Sequence, residues 1–97
     1  MKDLESTEDY DEFEADLKDL RARAKIQAQI QRLRAGNPGD HRNLEKGVSE
    51  LRIDIGPGYR VYYTQRQDGT LVILLAGGNK STQQADIARA YRLATSL

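Results

Sequence analysis

Val48–Tyr63 reads VSELRIDIGPGYRVYY, and its period decides the fold. Leu51, Ile53 and Ile55 alternate with Glu50, Arg52 and Asp54; beyond a Gly56-Pro57-Gly58 corner, Tyr59, Val61 and Tyr63 alternate with Arg60, Tyr62 and Thr64. A period of two on both sides of a Gly/Pro corner predicts a β-hairpin. The same alternation puts Arg52, Arg60 and Tyr62 on one face, away from the aliphatic side chains beside them. If helices cover the Leu51/Val61 face, the other becomes a shallow basic and aromatic surface. Guanidinium forks suit phosphate oxygens, and a tyrosine offers a ring for a base or a hydroxyl for hydrogen bonding. The competing reading pairs Arg52 and Arg60 with Glu50 and Asp54 as surface ion pairs of little consequence.

Upstream of the hairpin the period is 3.6. Glu8 to Leu20 places Tyr10, Phe13, Leu17 and Leu20 on one stripe, with Ser6 or Thr7 as N-cap. A second helix carries Ala22, Ile26, Ile30 and Leu33 inward and stops at Gly36, before Asn37-Pro38-Gly39-Asp40. Two helices so tightly joined predict a helix hairpin, and the residues before Ser6 allow a short edge strand. Downstream, Gln67-Asp68-Gly69 is a turn, and Thr70–Ala76 (TLVILLA) is a continuous apolar run that reads as a strand covered on both faces. Gly77-Gly78-Asn79-Lys80 leads into a last helix from about Ser81 to Ala94, where Ser81 and Gln84 have capping-box spacing. The predicted class is α+β: an N-terminal helix hairpin and a C-terminal helix packed on a small antiparallel sheet, in a single domain over residues 1–97.

Composition narrows the chemistry. The chain has 97 residues, 38% hydrophobic and 31% charged, which is globular with a thin core. It has no cysteine and one histidine, His41, in a predicted turn. A soft-ligand zinc site and a thiolate nucleophile are therefore excluded, and no metal or other cofactor is expected. No apolar stretch approaches a membrane span and the first residues lack the pattern of a signal peptide, so a cytoplasmic protein without membrane partners is expected. Zero net charge conceals a polarity: Met1–Asp19 holds nine acids and two bases, the remainder thirteen bases and six acids. A basic body is a possible nucleic-acid footprint, while acids early in a helix also suit its dipole. GGNKST at a strand-to-helix junction lacks the glycines of a phosphate loop, which argues against nucleotide hydrolysis.

Three stretches in order, GNPGD, GVSELRIDIGPGYRVYY and LLAGGNKSTQQADIARA, together with the helix hairpin, resemble the RelE/ParE toxin superfamily, specifically its HigB-like branch of addiction-module killer proteins. The resemblance implies a type II toxin–antitoxin module and a metal-independent endoribonuclease, an mRNA interferase that cuts mRNA on the ribosome and so blocks translation. It implies as partners the ribosome, mRNA and a cognate antitoxin, often of helix-turn-helix type. By position, Arg60 matches the arginine that faces the scissile phosphate, and Lys80 stands where relatives carry a basic catalytic residue. Arg52 and Tyr62 match positions suited to RNA binding. The family's usual first-helix tryptophan is Phe13 here, and Asp86 lies near where some relatives place a catalytic tyrosine. The alternatives within the fold are a ParE-like toxin that inhibits DNA gyrase by contact, and an inactive relative that only binds its antitoxin.

Overall fold

A computed structural model describes every residue from Met1 to Leu97. The chain runs β1 (Asp3–Ser6), α1 (Glu8–Asp16), α2 (Leu20–Arg34), β2 (His41–Asn43), β3 (Val48–Ile53), β4 (Tyr59–Arg66), β5 (Leu71–Asn79), a 3-10 turn (Lys80–Thr82) and α3 (Gln83–Thr95). All five strands join one sheet in the order β1-β5-β4-β3-β2. The predicted hairpin is β3–β4, with Leu51 opposite Val61 and Arg52 opposite Arg60. β5 pairs antiparallel with β4, with a bulge at Tyr62/Tyr63. The sheet is mixed rather than wholly antiparallel, because the edge strand β1 runs parallel to β5, Asp3 opposite Leu71.

Two local details depart from the sequence pattern. α1 ends at Asp16, and Leu17 is its C-cap. The Asp19 carboxylate then accepts the N–H groups of Arg21 and Ala22 at 3.0 and 3.2 Å, which starts a new helix at Leu20. Leu20 thus falls at a first-turn position and is 73% exposed instead of completing the apolar stripe. The second departure is β2, whose residues His41, Arg42 and Asn43 are exposed: His41 was expected in a turn and no strand was expected here. It is held by backbone pairing to β3 and carries no apolar residue that a pattern could detect.

Helices cover both faces. On one side Tyr10, Ile26, Ile30 and Leu33 of α1 and α2 pack on Leu51, Val61, Tyr63, Val72 and Leu74. On the other, Ala90 and Ala94 of α3 pack on Val48, Tyr62, Ile73, Leu75 and Ala76. This double cover is why β5 reads as an uninterrupted apolar run. Where β5 leaves the core it carries Gly77 and Gly78, each opposite a residue of β4. A Cβ on Gly77 would lie 2.2 Å from the Phe13 ring of α1. On the other face, a Cβ on Gly78 would lie 1.7 Å from Asp86 Oδ2 of α3. The glycine pair lets a helix approach the sheet from each side at the same point.

Candidate active site

Arg60 lies on β4 between Arg52 of β3 and Gly78 of β5, all three directly opposite one another. Its side chain is 5% exposed. Nη1 donates to its neighbour's carbonyl, Tyr59 O, at 3.0 Å, and Nε is buried with no partner. No carboxylate lies within the 4.0 Å of an ion pair. A buried guanidinium without a counter-ion is costly, and the folded chain keeps one here.

Lys80 meets Arg60 over Gly58. The Lys80 N–H donates to Gly58 O at 2.9 Å. A Cβ placed on Gly58 would touch Lys80 Cδ at 3.1 Å and Arg60 Nη1 at 3.7 Å, so the two cationic side chains flank one buried glycine. Gly58 has φ +78, which a side chain rarely adopts. Asn79 fixes the adjoining turn: its Oδ1 accepts the Ser81 N–H at 2.8 Å, while its own N–H donates to Thr82 Oγ1 at 3.1 Å. This reciprocal cap, Asn79 with Thr82, starts two residues earlier than the Ser81/Gln84 box expected from the sequence, and it ends β5 at Asn79 so that Lys80 projects into solvent.

The other two sequence-predicted residues are placed elsewhere. Arg52 turns off the sheet edge to Asp40, with Nε and Nη2 at 3.2 and 3.0 Å from Asp40 Oδ1. Tyr62 shares the face of Arg60, as the alternation required, but α3 covers that face and leaves Tyr62 fully buried. Its ring is not offered to solvent. Burial first, then the Glu50 and Asp86 carboxylates, hold its hydroxyl well above the usual tyrosine range, with Arg60 opposing.

Two acids, Glu50 and Asp86, are buried between α3 and the sheet, a placement not expected from the sequence. Glu50, opposite Tyr62, is fully buried. Its Oε2 accepts from Gln83 Nε2 at 2.9 Å, and Arg42 Nη2 stands 3.5 Å from Oε1. Asp86 is 2% exposed; Oδ2 accepts from Thr82 Oγ1 at 2.5 Å and Oδ1 from Arg89 Nη2. Both Asp86 oxygens are thus engaged within the protein. Arg89 also faces Asp9 of α1 at 3.7 Å, tying the two helices together across a cleft of about 410 Å³ lined by Asp9, Glu12, Asp16 and Asp86. The sequence signal for this arrangement was the glycine pair inside a strand, which marks a close approach.

A five-stranded mixed sheet with a helix hairpin on one face and a single helix on the other is the fold of the E. coli toxin RelE. The RelE chain in the crystal structure of the intact E. coli RelBE toxin–antitoxin complex matches with a TM-score of 0.67 at 14% identity, over 81% of this chain and 96% of that one. Free RelE, an arginine double mutant, matches with a TM-score of 0.67 at 14% identity over 98% of this chain and 95% of its own. At such identity the likeness is one of fold. By sequence, the chain belongs to the family described as Phage derived protein Gp49-like (DUF891), whose model matches residues 11–95. An uncharacterized protein of Haemophilus influenzae is 52% identical over 94 residues, 97% of this chain and 94% of the relative.

Proposed function

We propose that this protein is the toxin of a type II toxin–antitoxin module of the HigB-like kind, and that it cleaves mRNA on the ribosome. The observation that carries the reading is the unpaired, buried Arg60 guanidinium beside Lys80 over Gly58. A phosphodiester oxygen supplies the missing counter-charge. The acidic cleft between α1 and α3 repels a phosphate, so the backbone of the message approaches from the Gly58 side, where Lys80 is exposed.

In the metal-free reaction the ribose 2′-oxygen attacks its own phosphorus. The new P–O bond closes a cyclic phosphate as the P–O5′ bond breaks; the 2′-hydroxyl proton departs and the 5′-oxygen gains one. Arg60 and Lys80 stabilise the charge that builds on the phosphoryl oxygens. A guanidinium accepts no proton, so much of the rate comes from placing the 2′-oxygen in line with the leaving group, which the ribosome supplies. Arg52, held by Asp40 at the sheet edge, is a secondary backbone contact. Tyr62 acts from beneath, packing the face that carries Arg60.

The RelBE complex motivates the partner: a cognate antitoxin, of helix-turn-helix type in this branch. The deciding experiment incubates purified ribosomes, initiator tRNA and a short message with the protein and maps new 5′ ends. Cuts at A-site codons are expected. Intact message with demonstrably folded protein sinks the reading, and a parallel supercoiling assay with DNA gyrase tests for a poison that acts by contact.

A further inference from the structure

On the other face of the sheet, toward the far end of β4 from Arg60, a pocket of about 150 Å³ opens between the C-terminal end of α2 and the strands; its polar lining is Lys2, His41, Asn43, Tyr63 and Gln65, with no carboxylate. Hydrogen-bond accounting gives it a sign. Lys2 Nζ donates to Gln65 Oε1 at 2.8 Å and to Gly69 O at 2.6 Å, so one ammonium proton stays free and the Gln65 amide presents Nε2 as an unpaired donor. Ser49 Oγ donates to Asn43 Oδ1 at 2.9 Å, which leaves Asn43 Nδ2 as another. Ser49 is also the cross-strand partner of Tyr63. Having given its proton to Asn43, Ser49 Oγ faces the Tyr63 hydroxyl with free lone pairs, so Tyr63, 2% exposed, forms the wall of the pocket rather than one of its free donors. The backbone of Lys2 is clamped by Arg34, whose carbonyl accepts the Lys2 N–H and whose Nε donates to Lys2 O, both at 2.9 Å. Lys2 is thus held in place before any ligand arrives.

We propose that this pocket binds a tetrahedral oxyanion, a phosphoryl group, through Lys2 Nζ, Asn43 Nδ2 and Gln65 Nε2. Several convergent donors with their acceptors already engaged, one of them cationic, match an anion's lone pairs and suit few other ligands. The volume holds one phosphoryl group and leaves the rest of a phosphate ester outside. The site is separate from Arg60 and Lys80 and does not depend on the nuclease reading.

Orthophosphate, AMP and adenosine, each titrated into 15N-labelled protein, test it by amide NMR. Orthophosphate is expected to shift the Asn43 and Gln65 side-chain amides saturably. Equal shifts with AMP identify an ester phosphate as acceptable, and shifts with orthophosphate alone identify the free anion. Asn43→Asp and Gln65→Glu, each of which faces the anion with a charge, are each expected to weaken binding about tenfold or more. Non-saturating shifts, shifts centred on Arg60 and Lys80, the same response to adenosine, or unchanged affinity in both variants overturns the proposal.

Discussion

The Asp86 carboxylate stands where a side chain at Gly78 would be: a Cβ there would lie 1.7 Å from Oδ2 and 2.7 Å from Cγ of Asp86. The contact sets how closely α3 approaches the sheet and hence where Lys80, just before α3, emerges. Gly78→Ala is expected to destabilise the protein by about 2–3 kcal/mol through overpacking. Urea denaturation of a double-mutant cycle checks the cause. In an Asp86→Ala background the same substitution costs roughly half or less, whereas an undiminished cost assigns the effect to Thr82 or to the backbone.

Arg60 separates stability from function. Replacing a buried, unpaired guanidinium by an apolar chain of similar length removes a desolvation penalty. Arg60→Met is therefore expected to melt at the same temperature as the parent or higher, while message cleavage on ribosomes falls about a hundredfold or more. Calorimetry and 5′-end mapping on one preparation read both quantities. A large loss of stability means that Arg60 holds the fold rather than awaiting a phosphate.

Lys80→Ala is expected to relieve toxicity in growing cells while leaving antitoxin affinity and melting temperature nearly unchanged, because the side chain is exposed. Arg52→Ala is expected to relieve it less, since its guanidinium already faces Asp40. Equal toxicity of the parent and the Lys80 variant removes Lys80 from the reaction.

Alkali tests the burial of three tyrosines. Burial raises the hydroxyls of Tyr10, Tyr62 and Tyr63, so these groups keep their protons when folded at a pH where the unfolded chain loses them. The unfolded state then binds fewer protons, and stability falls as pH rises past about 10. Each tyrosine contributes a slope of up to about 1.4 kcal/mol per pH unit. Thermal melts from neutral pH upward should show a plateau and then a steep decline. Tyr62→Phe should flatten the decline, because one of the strongly raised hydroxyls is removed.

Much of the fold was legible because its signals are local. The β3–β4 hairpin follows from alternation around Gly56-Pro57-Gly58, and α2 from its stripe and the stop at Gly36. β2 was not legible, because His41, Arg42 and Asn43 owe their extended form to a neighbour's backbone. Nor could spacing alone exclude Leu20 from the stripe, since the Asp19 cap decides where the helix begins. For the site, alternation put Arg60 and Tyr62 on one face but did not reveal that α3 covers it. Tyr62 sits inside in consequence, and Glu50 and Asp86, which look like surface acids in the sequence, lie buried beneath the helix.

The parallel pairing of β1 with β5 joins segments far apart along the chain. Asp3 to Ser6 are made well before their partners, Leu71 to Leu74, and α3 comes later still. Until then β1 has no strand to lie against, and the Arg60 face has no cover. A chain cut before β5 therefore lacks the β1–β5 pairing and, with Lys80 gone, the cation pair as well.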